Sequence, residues 1–166
     1  MEKKNIKLYH GSLVIVEKPD INHSKSKHDF GNGFYLTSVK EQAFRWTKRS
    51  IRNKNKKIGY LNIYDFNVEL ARRDLLIKIF EKPSLEWLDF VINNRGKKAF
   101  DFNYDLVIGP VANDNAYETI KLYELGRYPL ELTLEKLKVE KLRDQYLFHT
   151  EKSIKYFNFF EALEIK

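Results

Sequence analysis

The chain has 166 residues, 43% hydrophobic and 14% aromatic, enough for one folded unit with a packed core. It holds no cysteine, which excludes disulfides, thiolate nucleophiles and cysteine-bound zinc. Its net charge of +7 is concentrated: residues 40–57 carry eight basic side chains against the single acid Glu41, a surplus equal to the whole excess. Such a strip suits a phosphate backbone or any acidic surface, and it equally suits a solvated helix end running into a loop. No stretch approaches the roughly 18 apolar residues of a membrane helix. The first residues are charged, with no apolar run behind them. The expectation is a soluble, cytoplasmic protein with no membrane partner, one domain over 1–166.

Residues 6–10 form a strand by pattern, and 13–16 a second extended piece. Residues 19–33 are polar and end in two glycines, as a loop does, and 34–37 return to extended chain. Ser38, with Glu41 three residues on, has the spacing of a helix cap; the helix that follows would turn Ala43, Trp46, Thr47 and Ile51 inward. Residues 60–67 alternate as a strand with two different faces. Residues 75–80 are a further apolar strand. Pro83 or Ser84 opens a helix that buries Leu85, Leu88, Phe90, Val91 and Ile92 and stops at Gly96. Residues 104–108 make a strand ended by Gly109-Pro110, and 114–125 and 130–142 make helices separated by Gly126 and Pro129. Residues 145–149 are a strand, Thr150 caps a short turn, and 157–165 end the chain in extended form. Strands and helices mix without regular alternation, so the fold class is α+β.

Three segments carry candidate chemistry. In Leu8-Tyr9-His10-Gly11-Ser12 a strand ends in a histidine followed by a glycine, which lets a ligand approach the backbone. In Asp29-Phe30-Gly31-Asn32-Gly33-Phe34-Tyr35-Leu36-Thr37 a glycine turn enters an aromatic strand. It lacks both the third glycine of a dinucleotide fingerprint and the Gly-Lys-Ser/Thr of a phosphate loop. There Tyr35 offers a flat face to a ring, and Trp46 on the next helix offers another; both are equally readable as core aromatics. In the third, Gln145, Leu147 and His149 share one strand face, and a buried glutamine needs partners. Asn113, Asp114 and Asn115 sit where helix caps are ordinary, as does Arg95 at a helix end. His23 and His28 have no ligand-like spacing, so no metal site is expected.

Taken in order, these segments resemble the diphtheria-toxin and poly(ADP-ribose)-polymerase branch of the ADP-ribosyltransferase superfamily, whose signature is a histidine, a tyrosine and a glutamate. LYHGS supplies His10, FGNGFYLT supplies Tyr35, and QYLFHT places Gln145 where the family has its glutamate. With YDLVIGPVANDN, WLDFVINNR and QYLFHTEKSIKYF added, the chain is similar to a bacterial domain family of unknown function whose genes often neighbour antitoxin-like genes. The resemblance implies an ADP-ribosyltransferase-like split antiparallel β-sheet core flanked by helices, with NAD as co-substrate. It implies transfer of a single ADP-ribose to a protein or nucleic-acid acceptor, and the toxin of a toxin–antitoxin pair with an antitoxin protein as partner. His10, Tyr35 and Gln145 would be catalytic. His10, Gly11, Ser12, Gly33, Tyr35 and Trp46 would bind NAD, with the Gly11 backbone on the carboxamide, Tyr35 and Trp46 around the ring and His10 on a ribose hydroxyl.

The sequence departs from that family at Gln145, which carries no charge, and at Ala43, where the polymerases often have a serine. Asp144 and Glu151 flank the strand as substitute acids, Asp144 on the face away from Gln145. The departure leaves two other readings open. One is an NAD- or ADP-ribose-binding module without turnover, in which Gln145→Glu would create NAD hydrolysis. The other is a nucleic-acid-binding domain built on the basic strip.

Overall fold

The structure is a computed structural model that describes residues 5–23, 28–96, 100–139 and 143–166. Two sheets form its frame. Strands β1 (Asn5–Ser12), β3 (Gly59–Asn67) and β7 (Phe157–Ile165) make an antiparallel sheet in the order β1-β3-β7. Strands β2 (Phe34–Leu36), β6 (Asp144–Phe148), β5 (Leu106–Pro110) and β4 (Ile77–Ile79) make the second, in the order β2-β6-β5-β4. The class is α+β. The second sheet is mixed rather than purely antiparallel, because β4 runs parallel to β5. The sheets touch at one bridge, where Tyr9 and Thr37 exchange backbone hydrogen bonds of 2.8 and 3.0 Å.

Period-two alternation sorts the strand residues between three packed layers. Leu106 and Phe148 join Leu8, Phe34, Tyr64, Phe66 and Phe157 between the sheets. Their neighbours Val107 and Leu147 point the other way, into a core with Trp87, Leu88, Phe90 and Val91 of α3 (Leu85–Arg95), Ala116 and Ile120 of α4 (Asp114–Glu124) and Leu137 of α5 (Leu130–Val139). On β3 the expected two faces are both buried: Tyr64 and Phe66 lie between the sheets, while Leu61 and Ile63 lie with Ala43 of α1 (Lys40–Asn53). No helix among the described residues is long and apolar enough to cross a membrane.

Several local expectations change once tertiary partners are present. Ser38 does not cap α1; Val39 stands at that position without a side-chain bond, because Ser38 is drawn to the Asp144 carboxylate. Within α1, Ala43 and Thr47 are buried, Ile51 is half-buried, and Trp46 stands 54% exposed. Gly109 and Pro110 extend β5 rather than stopping it. β4 ends opposite Ile108, so Pro110 meets a partner strand only on the β6 side. Leu85 is exposed and Trp87 takes its place in the core. A helix the pattern did not suggest, α2 (Val68–Asp74), is started by Asn67, whose side chain accepts from Leu70 N–H at 3.0 Å, and it shortens the expected 75–80 strand to β4. The expected turn at Thr150 forms, its hydroxyl accepting from Ser153 N–H. The loop and helix end expected over 24–27 and 140–142 lie outside the described residues.

Residues 13–16 make no strand ladder; two buried side chains hold them. Asn62 of β3 accepts from Val16 N–H at 2.8 Å and donates to the carbonyls of His10 and Val14 at 3.3 Å each, and the Tyr64 hydroxyl donates to Val16 at 2.7 Å. Replacing Asn62 with alanine removes these three side-chain bonds, at a cost of roughly 2–3 kcal/mol of stability. Urea unfolding measures it, and an unchanged midpoint would show that the segment is held by something other than this amide.

Candidate functional site

The site begins where the sheets part. Tyr9 points its backbone groups at Thr37, and strand parity turns those of Gly11 the same way, away from β3. Opposite Gly11, where a continued ladder would set Tyr35, the strands have separated. The Tyr35 carbonyl is taken by the His10 ring instead, with Nδ1 at 2.9 Å. A neutral imidazole donating from Nδ1 carries no proton on Nε2. The ring is steadied on Phe34, with centroids 4.6 Å apart. Gly11 itself is compelled by α1: a Cβ there would lie 2.3 Å from the Ala43 carbonyl oxygen and 2.6 Å from Thr47 Oγ1. The Gly11 N–H and C=O therefore line a wall that no side chain can cover.

The second wall is the turn leading into β2. Gly31 (φ +92°) and Gly33 (φ +148°) hold conformations that side chains disfavour, and a Cβ on Gly33 would strike the Phe148 carbonyl at 2.4 Å. The Tyr35 hydroxyl donates to the Gly31 carbonyl at 2.6 Å and accepts from Phe30 N–H at 3.2 Å, closing the turn on itself. Burial pushes this phenol far above its ordinary pKa, so it stays protonated. With its hydroxyl committed, what Tyr35 presents is its ring, beside His28 at 4.9 Å. His149 secures the turn from β6, its Nδ1 2.7 Å from the Asn32 carbonyl.

Gln145 forms the third wall. It is buried, and its Nε2 donates to Asp29 Oδ2 at 3.0 Å and to the Pro110 carbonyl at 3.2 Å. Asp29, only 4% exposed, also accepts from Ala112 N–H at 2.7 Å through Oδ2; its Oδ1 takes no hydrogen bond and faces the Arg95 guanidinium as an ion pair. Asp144 does point away, tying Thr37 and Ser38 to β6, and Glu151 lies outside the cleft. The acid that meets Gln145 is therefore Asp29, which opens the glycine segment and is not among the expected site residues.

These walls enclose one cleft of about 1120 Å³. His10, Gly11, Ser12, Gly33, Tyr35, Trp46 and Gln145 all line it, so the structure brings every candidate from three distant segments to one place. Asn113 and Asp114 reach its rim while Asn113 caps α4, accepting from Ala116 N–H at 2.8 Å. Arg45, Arg49, Arg95 and Arg143 bring positive charge, two of them from the basic strip. Arg49 sits 6.0 Å from the exposed Trp46 ring. The signal that would have found Arg95 and Arg143 is tertiary, since each lies near a segment end where a cation is unremarkable. Among the described residues no group of three or more His, Asp or Glu side chains is placed to hold a metal ion.

Residues 6–159 match the family described as Protein of unknown function (DUF3990). No curated protein matches the chain.

Burial lowers the His28 pKa below its ordinary 6.5, outweighing the pull of the Asp29 carboxylate and reinforced by Arg95. The folded chain therefore refuses a proton that the unfolded chain accepts. This contribution to stability is whole above pH 6.5 and is lost as the pH falls through the lowered folded value. His28→Gln is expected to flatten the acid side of the stability profile relative to the parent. Equal slopes in urea melts above and below that pH would dismiss the effect.

Proposed function

We propose that this chain, which belongs to the DUF3990 family, is an NAD-dependent mono-ADP-ribosyltransferase that modifies a protein or nucleic acid. One observation carries the reading: the His10-Gly11 strand end, the Tyr35 turn and Gln145 line a single cleft together with an exposed tryptophan and four arginines. The volume exceeds that of an ordinary drug-sized pocket, as a dinucleotide requires. The arginines complement a pyrophosphate.

Each wall has a role in this reaction. The Gly11 N–H and C=O present one donor and one acceptor side by side, the complement of a carboxamide. Tyr35 and Trp46 offer rings to a pyridinium, and a cation between aromatic faces is favoured. His10 Nε2 and Gln145 Oε1 are acceptors for ribose hydroxyls. In the transfer, the bond from ribose to nicotinamide breaks and its electron pair leaves with the ring. The acceptor's nucleophile bonds the same carbon and gives up its proton to solvent. The sugar becomes cation-like on the way, so what the protein contributes is orientation of the ring and the sugar.

A second reading keeps the binding and drops the turnover: an NAD- or ADP-ribose-binding module. It is favoured by one observation, that the residue where the resemblance places a glutamate is an amide and not a carboxylate.

Labelled NAD incubated with cell extract separates the two. The transferase leaves label on a protein or nucleic-acid fraction and frees nicotinamide; the module binds NAD in calorimetry and frees none. Trp46→Ala tests the cleft itself, since that side chain is half exposed and the fold does not need it. Affinity for NAD should fall about three- to tenfold, the worth of one aromatic face. An unaltered affinity, or no NAD binding by the parent protein, would remove the dinucleotide from this cleft.

A further inference from the structure

Gln145 is an amide where the resemblance has an acid, and an acid stands directly behind it. Both hydrogens of its Nε2 are committed, to Asp29 Oδ2 at 3.0 Å and to the Pro110 carbonyl at 3.2 Å. The opposite orientation of the amide would press its oxygen against two oxygens, so the network fixes which end is which. Oε1 is thereby turned to the cleft and accepts nothing from the described residues. Behind it, Asp29 is buried in a frame of the Ala112 N–H, the Gln145 amide and Arg95. Both residues line the cleft.

We propose that Asp29 and Gln145 act as one divided carboxylate. Gln145 supplies the oxygen that touches the ligand, and Asp29, one hydrogen bond behind, sets that oxygen's direction and polarises it with its charge. Asp29 is a positioning residue here, acting through Gln145; the inference rests on the transferase reading for its consequence in turnover and on geometry alone for the orientation. The amide hydrogens drawn toward a carboxylate push electron density onto Oε1, and a buried chain of hydrogen bonds strengthens each member.

The arrangement reverses an expectation from sequence. Gln145→Glu alone does not restore an acid. It sets a second carboxyl against Asp29 and the Pro110 carbonyl, three acceptors with no donor between them, and one of the two carboxyls must keep a proton.

The test uses the full chain labelled with ¹⁵N. The Gln145 side-chain amide protons should be protected from solvent exchange, and Asp29→Ala, folded by its backbone spectrum, should lose that protection. Nicotinamide release by Asp29→Asn should fall about tenfold or more, the worth of a hydrogen bond to a charged group, with KM for NAD unchanged. Gln145→Glu alone should show one carboxyl titrating well above the ordinary carboxylate range by ¹³C NMR, a result that serves even if Asp29→Ala fails to fold. Protection unaltered in Asp29→Ala, release by Asp29→Asn equal to the parent's, or ordinary titration of both carboxyls in Gln145→Glu would overturn the proposal. A parent protein that neither binds NAD nor releases nicotinamide would end the transferase reading, while the exchange measurement still decides the orientation.

Discussion

Two backbone hydrogen bonds between Tyr9 and Thr37 mark the place where one continuous sheet would have formed and did not. Beyond them β1 runs on to Gly11 and Ser12 beside β3, while β2 stays with β6. The His10 side chain reaches across and takes the Tyr35 carbonyl that a continued ladder would have used. The backbone groups of Gly11 are left facing a cleft. Unpaired polar backbone is normally costly when buried; at the lip of a water-filled cleft it becomes a recognition surface. The parting of the sheets also lets the Tyr35 turn and the end of β6 stand around the same space.

Asp29 performs for the far side what that seam performs for the near one. Its carboxylate meets Gln145 of β6, Ala112 before α4 and Arg95 at the end of α3, so one buried group joins four segments far apart in the chain. Charged groups in such positions are retained only when well partnered, and here they are. The cost of burying an acid is offset by three donors around it, and the result is a rigid wall with a defined amide orientation. Asp144, which looked like an alternative acid, is used to fasten β2 and α1 to β6.

The basic strip divides by geometry. Arg45 and Arg49 turn toward the cleft with Trp46 between them, and Arg45 is partly answered by Glu41 at 3.0 Å. Lys48 turns elsewhere and reaches the Lys166 carbonyl at the end of β7. A charge excess that forms one strip in the sequence therefore serves two surfaces, one at the cleft mouth and one against the end of β7.

The sequence by itself determined the α+β class, most strand positions and the identities of the segments at the cleft, because alternation, glycine pairs and cap residues act over a few neighbours. The final strand over 157–165 and the turn at Thr150 were readable for that reason. Tertiary structure alone decided which residue carries the acid, that Ser38 serves Asp144 instead of a helix end, that Trp46 stands in solvent, and that Gly109-Pro110 continues a strand. Each of these is set by a partner about thirty or more residues away or by the absence of one. A buried carboxylate's meaning in particular lies in the donors that surround it, and those donors meet only when the chain has folded.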